Sequence, residues 1–367
     1  MAHHDATNRT RVALALGDPG GIGLELAARL IADPEQRDGI TVFGDRRALD
    51  LGARQAGLTL DLTSVGIEEL PGAAVGGGLL VDLENCDPDA CPLGEATAAG
   101  GAAALGNFRA ALLAARAGLA DAVLFTPFNK AAMRMAKADH VDEIGLIDGV
   151  LGADRSGREF NVLDEVWNAR VTSHIPLREV ADALDEERIF SSLMLTVEVM
   201  RDAGFERPRI GVAALNPHAG DGRNFGTEDD DVIAPAVERA RARQIAVSGP
   251  IPSDTVFVRA LKGEFDAVLT MFHDQGQIAM KLIGFDRGVT LIAGYGFPIV
   301  TPAHGTAYDI AGAGVADVGA TFAAARLGRR LAARKPRAGT GEPALRDLAI
   351  ALRDPPEWAR APVRASA

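Results

Sequence analysis

Short runs of β-branched and apolar residues alternate with longer Ala- and Leu-rich stretches along this chain, and that alternation constrains the fold more than any other feature. Buried parallel strands read as nearly continuous apolar runs, and the helices between them carry apolar residues three and four apart. Residues 11–16 fit the strand pattern and residues 24–32 the helix pattern, joined across the tight loop Gly17-Asp-Pro-Gly-Gly-Ile-Gly23. Residues 40–43 read as a second strand, with Asp45 placed to cap the helix after it. A long small-residue helix is predicted over 97–119 and a buried strand over 122–126. Helical stretches near 176–203, a strand at 209–215, a helix at 228–243 and a strand at 266–271 continue the alternation. The fold class is therefore α/β, strands layered against helices. From Ala333 onward Arg, Ala and Pro accumulate, and a loosely packed extension with one short helix is expected there.

At 367 residues the chain is expected to form about two or three domains. Its 47% hydrophobic content is enough to bury a sizeable core, which excludes a disordered protein. No uncharged apolar run reaches the roughly 18–20 residues of a membrane helix. The start carries His3 and His4 before Arg9-Thr10-Arg11, without the charged and then apolar regions of a secretory signal, so a cytoplasmic location is expected. The net charge of −12 argues against a nucleic-acid partner, while an anionic substrate needs a local cluster of positive charge. Cys86 and Cys91, five apart, would bridge in an oxidising compartment; free thiols in a reducing cytosol are the favoured reading.

The histidines point to chemistry. His174, His218 and His273 each follow an apolar run, and ligands gather beyond the carboxyl ends of strands in α/β sheets. Gaps of 44 and 55 residues are too long for a finger-type site, yet strand ends of one sheet meet along one edge. Three neutral imidazoles with an open fourth position suit Zn²⁺ or a related divalent ion; on spacing alone, three separate hydrogen-bonded histidines are the favoured reading. Asp221 and Asp274 stand ready either to orient neighbouring imidazoles or to cap turns. Gly17–Gly23 opens a helix after a strand but matches neither common phosphate-loop pattern and holds an acid, so a tight turn near the site is expected. The segment 304–316 combines glycines, small side chains and Asp309, which suits a backbone wrapped round a nucleotide or a loop at a helix start.

Gly-Asp-Pro-Gly-Gly-Ile-Gly at 17–23, Thr-Pro-Phe-Asn-Lys at 126–130, Asn-Pro-His-Ala-Gly-Asp-Gly at 216–222, Gly-Pro-Ile-Pro-Ser-Asp-Thr at 249–255, Phe-His-Asp-Gln-Gly at 272–276 and His-Gly-Thr-Ala-Tyr-Asp-Ile-Ala-Gly at 304–312 occur in that order. Together they resemble the PdxA family of pyridoxine-biosynthesis dehydrogenases over about residues 11–331. The last motif is also similar to the adenosine loop of isocitrate and isopropylmalate dehydrogenases. The resemblance implies a two-domain fold of that type with a cleft between domains: 11–130 plus 282–332 as a discontinuous nucleotide domain, 131–281 carrying metal ligands and a dimer interface, and 333–367 as an extension. It implies a homodimer with a shared metal site, NAD or NADP, and a divalent ion (zinc foremost, with magnesium, cobalt or iron as alternatives) held by His174, His218 and His273.

By the same resemblance His140, Val141, Lys281, Thr290 and Ile299 fall at substrate-binding positions, and His304, Gly305, Thr306, Asp309 and Ile310 at the cofactor loop. Three positions depart from the family pattern. Val141 replaces a hydroxyl, Thr290 an Asn, and Ile299 an Arg that grips the substrate anion. Loss of that guanidinium leads to the expectation of a flatter, more apolar substrate, an aromatic-acid cis-dihydrodiol such as that of terephthalate. 4-Hydroxythreonine-4-phosphate, or a related phosphorylated hydroxy acid, is the alternative. The implied reaction oxidises a hydroxyl β to a carboxylate, with decarboxylation, and the ion acts as Lewis acid. Lys130, or else Asp254, is the candidate for proton transfer, with a structural salt bridge the competing role for the lysine. A zinc hydrolase and a non-catalytic metal-stabilised dimer are the competing functions; the nucleotide-like loop argues against the first and Lys281 against the second.

Overall fold

The computed structural model describes residues 10–70, 78–136, 143–154, 156–334, 342–356 and 359. Among these, the strands run in chain order as β1 (Val12–Ala15), β2 (Ile40–Gly44), β3 (Thr63–Ser64), β4 (Leu79–Asp82), β5 (Ala122–Phe125), β6 (Arg158–Val162), β7 (Trp167–Arg170), β8 (Ile210–Ala213), β9 (Val247–Ile251), β10 (Ala267–Thr270), β11 (Val289–Ala293) and β12 (Ile299–Pro302). The chain divides into two units, residues 1–157 with 295–367, and residues 158–294. The sequence reading places the joins at 130/131 and 281/282, earlier than these. The later joins have local causes. Beyond residue 130, Arg116 Nη1 donates to Val150 O at 3.1 Å and Tyr295 Oη to Asp148 at 2.6 Å, tying that stretch to the first unit. Beyond residue 281, β11 pairs along its whole length with β6 of the second unit.

In the first unit the strands lie in the order β3-β4-β2-β1-β5-β12, all parallel. Every residue of β1 and β5 is buried, which is why both read as uninterrupted apolar runs. Asp45 accepts from Arg47 N at 2.8 Å and caps the helix Arg46–Gln55 as expected. Thr97 Oγ1 likewise accepts from Gly100 N at the start of the long helix Ala98–Arg116. The terminal helix Glu342–Arg353 departs from the loosely packed extension expected of the sequence. Leu348 is buried, and Ala351 O accepts from Arg109 Nη1 at 2.9 Å.

The second unit has the order β11-β6-β7-β10-β8-β9. Its β7, β10, β8 and β9 are mutually parallel, whereas β6 runs antiparallel to both β7 and β11. Val256, Phe257, Phe265, Val268 and Met280 build its core beneath the helices Ser253–Leu261 and His273–Gly284. The helix expected at 228–243 begins with a wider turn, Asp229–Ile233, before the regular Ala234–Ala242. No described helix is long and apolar enough to cross a membrane.

Candidate functional site

Three neighbouring parallel strands of the second unit, in the order β7-β10-β8, each lead at the carboxyl end into one of the three histidines. Strands about 4.8 Å apart deliver such residues side by side. His174 and His273 meet in this way: their ring centroids are 5.4 Å apart at 43°. Two imidazoles sharing one tetrahedral ion, with nitrogens about 2.1 Å from it, place their centroids roughly 5 Å apart, so this pair has the spacing of a metal chelate. His273 Nδ1 lies 2.7 Å from Asp274 Oδ1. With the proton on Nδ1, Nε2 presents its lone pair outward, the arrangement that orients a metal-ligating imidazole.

His218 stands apart from that pair, and no cluster of three His, Cys, Asp or Glu suited to a metal occurs among the described residues of one chain. Its loop is nevertheless held in an unusual conformation. His218, Ala219 and Asp221 have left-handed backbones, with φ of 55°, 56° and 45°, as does His174 in the separate loop after β7, at 53°. Each such non-glycine residue costs about 1–3 kcal/mol and persists only where its surroundings enforce it. Asp229, wholly buried, supplies part of that enforcement by accepting from Leu215 N and Asn216 N at 2.9 and 3.0 Å. This positioning role is not evident in the sequence, where Asp229 reads as one more acid in a helix's first turn. Asp221 accepts from Asn224 N and Nδ2 and so closes a turn.

Other expected residues fall as follows. Lys281 is exposed, its Nζ 5.8 Å from the Phe285 ring centroid. Thr290 Oγ1 accepts from Asn161 Nδ2 at 3.5 Å. Ile299 is fully buried inside β12. Its apolar character is therefore demanded by the core of the first unit, and the inference from Ile299 to an apolar substrate loses its basis. Lys130 follows the carboxyl end of β5, 51% exposed, with Nζ 4.0 Å from Glu143. Asp254 is exposed in the first turn of its helix. His140 and Val141 lie outside the described residues.

In the first unit, the Gly17–Gly23 loop buttresses the 304–312 segment. Ile22 N donates to Thr306 O at 3.0 Å, and a Cβ on Gly21 would sit 2.7 Å from that same oxygen, so only glycine allows the approach. Ile310 packs on Ile22 and Leu26. Asp18, 1% exposed, accepts from Gly20 N at 2.9 Å and from Tyr308 Oη at 2.5 Å. Burial pushes the Asp18 carboxyl up, against the lowering effect of Tyr308 and Gly20, and burial together with Asp18 pushes the Tyr308 phenol up. Sequence reasoning noticed the acid but not its partner, 290 residues away. His304 Nδ1 lies 3.1 Å from Gly305 O while its Nε2 is buried without a partner, and nothing lies within 4 Å of where a Gly305 Cβ would be.

Tyr308→Phe is expected to destabilise the fold by about 1–3 kcal/mol at neutral pH, because a buried carboxylate oxygen is left unsatisfied. Asp18 is already raised above its ordinary 3.8, and losing the phenol raises it further. A raised folded-state value means its contribution is most favourable below about 4 and is lost as pH rises through the raised value. The melting-temperature gap between Tyr308→Phe and the parent should thus widen from about pH 4 to pH 7; a gap that narrows contradicts the assignment.

The family profile described as "Pyridoxal phosphate biosynthetic protein PdxA" matches residues 36–328. The chain belongs to the PdxA family. A Rhizobium meliloti (strain 1021) protein named "Putative 4-hydroxythreonine-4-phosphate dehydrogenase 2" is 56% identical over 335 residues, covering 90% of this chain and 96% of that one. The 4-hydroxythreonine-4-phosphate dehydrogenase structure from Klebsiella pneumoniae is 31% identical, with a TM-score of 0.77 over 88% of this chain and 98% of its own. A terephthalate 1,2-cis-dihydrodiol dehydrogenase from Burkholderia xenovorans LB400 is 30% identical, with a TM-score of 0.61 over 85% of this chain and 95% of its own. The PdxA relatives are named dehydrogenases, and the chain is a nicotinamide-dependent oxidoreductase of α/β fold. The expectation of a dihydrodiol substrate finds no support: the relative carrying that name is the more distant one, and the residue that suggested it is a core residue.

Proposed function

We propose that this enzyme oxidises the secondary hydroxyl of a small phosphorylated hydroxy acid, 4-hydroxythreonine-4-phosphate or a close analogue, using NAD or NADP and a divalent ion, with loss of CO₂ from the product. The observation that carries the reading is the His174–His273 pair at chelate spacing beyond the carboxyl ends of two parallel strands. The relatives' names supply the substrate class. His174 and His273 would hold the ion, zinc in the first instance, with His218 completing the set in a homodimer that shares the site. The bound ion supplies Lewis acidity, which makes the substrate hydroxyl easier to deprotonate.

The remaining tasks belong to the chain's own residues. Asp274 fixes the His273 ring. Lys281, exposed on the helix that starts at His273, offers a positive charge to the substrate's anion. His304, Gly305, Thr306, Asp309 and Ile310 would hold the dinucleotide; the unsatisfied Nε2 of His304 and the open space over Gly305 fit such a ligand. A bound nicotinamide would serve as hydride acceptor, and among the chain's own residues Lys130 and Asp254 are the candidates to take the hydroxyl proton.

The test is nicotinamide reduction with 4-hydroxythreonine-4-phosphate, with and without Zn²⁺ or Mg²⁺. Turnover should fall more than about 100-fold after chelation and return on adding metal. The melting temperature should change little, because apolar packing holds the elements that carry the histidines. Undiminished turnover after complete metal removal, or turnover of an aromatic cis-dihydrodiol acid in preference to the phosphorylated acid, refutes the reading.

A further inference from the structure

Beneath the helix His273–Gly284, the sheet of the second unit carries a polar network in a place where apolar residues would pack with less penalty. Arg170 closes β7, and its side chain is 3% exposed. Nη2 donates to Glu159 Oε1 at 3.0 Å and to Asn161 Oδ1, while Nε and Nη1 are buried without partners. Asn161 Oδ1 also accepts from Gln277 Nε2 at 3.0 Å, and Asn161 Nδ2 donates to Thr290 Oγ1. Strand register explains the meeting. Asn161 of β6 lies opposite both Asn168 of β7 and Thr290 of β11, so alternate residues of three strands point to one face.

The helix above completes the pattern. His273, Gln277 and Lys281 are four apart in sequence and so fall along one helical face. Gln277 thus stands between a proposed metal ligand and the lysine offered to the substrate anion, and it is the residue that touches Asn161. Because Thr290 Oγ1 accepts from Asn161, its own proton is left to donate to an oxyanion. A buried guanidinium with two unsatisfied N–H groups is expensive, at about 1–3 kcal/mol for each lost partner.

We propose that Arg170, Asn161 and Gln277 determine specificity for the oxyanion of the substrate, phosphate in preference to a neutral hydroxyl. Asn161 orients the Thr290 hydroxyl and Gln277, and Arg170, itself ion-paired with Glu159, holds Asn161 in place. This assignment rests on the function proposed above. It sets the anion's hydrogen-bonding partners from β6 and β7, in an enzyme whose residue 299 is a buried isoleucine. Arg170 acts through its neighbours, as a positioning residue.

The experiment compares kcat/KM for 4-hydroxythreonine-4-phosphate with kcat/KM for unphosphorylated 4-hydroxythreonine in the parent, Arg170→Met and Gln277→Leu, with the KM for the nicotinamide cofactor as an internal control. The preference for the phosphorylated acid should fall by about 10-fold or more in each variant, equivalent to ~1.4 kcal/mol, while cofactor KM stays within about twofold. A purely structural role would lower both substrates together and leave the ratio unchanged, which overturns the proposal. Should Arg170→Met fail to fold, Gln277→Leu, at a half-buried helix position, decides by the same ratio. A parent enzyme that turns over neither compound overturns the proposed function itself, an outcome distinct from active enzyme with an unaltered ratio.

Discussion

His273→Ala should lower kcat by about 10³-fold or more and abolish retention of a divalent ion, with the fold intact. Loss of a Lewis acid at a reacting oxygen removes several kcal/mol of transition-state stabilisation, and each 1.36 kcal/mol is tenfold in rate. The fold should survive because the His273 side chain is 36% exposed at the start of its helix and contributes nothing to the core below it. His174→Ala should match it, and the double variant should be scarcely worse than either single one, since both remove the same ion. Metal content by elemental analysis, circular dichroism and turnover check the prediction together. Near-normal turnover in either variant would leave the histidine pair without a catalytic role.

The second large effect is expected at Gly276. A Cβ there would lie 2.1 Å from Asn168 Oδ1 and 2.8 Å from its Nδ2, in the turn of helix between His273 and Gln277. Asn168 cannot move aside, because Nδ2 donates to Ala169 O, Val268 O and Thr270 Oγ1 at 3.0–3.1 Å. Gly276→Ala must therefore either break that set or lift the helix off the sheet, and overpacking of this kind costs about 1–3 kcal/mol or more. Alanine otherwise favours a helix over glycine by about 1 kcal/mol, so the sign of the measured change separates contact from propensity. Lifting the helix displaces His273, so metal affinity should fall along with stability. Thermal unfolding with and without Zn²⁺ checks both. A stabilised variant with unaltered metal binding would contradict the contact.

Much of the fold can be read from periodicity. Continuous apolar runs locate β1, β5, β8 and β10 to within a residue or two of their observed limits, and Asp45 caps the helix its position suggests. The joins between units were implied by the family resemblance rather than by periodicity, and pairing of β11 with β6 is a contact that leaves no periodic trace. The reading of Ile299 as part of the substrate site rested on the family resemblance, and burial places its side chain in the core. For the site, the histidines were visible as residues following apolar runs. Their meeting could be expected only through the family resemblance, since it depends on β7 and β10 being neighbours despite the segments between them. The Arg170 network offers a weak signal in hindsight: Asn168 and Arg170 interrupt an otherwise buried apolar strand at alternate positions. Tyr308 and Asp18 carry none, because only the folded chain brings a phenol to a buried carboxylate.

The central claim is that the histidines following these strand ends share one divalent ion. An anomalous-difference map from crystals of the full chain grown with Zn²⁺, collected at the zinc edge, tests it directly. The account predicts a single strong peak about 2.0–2.1 Å from a ring nitrogen of His174 and of His273, with His218 of either protomer as a third ligand. Zinc bound elsewhere, or these rings turned away from any peak in a crystal saturated with the metal, would contradict it.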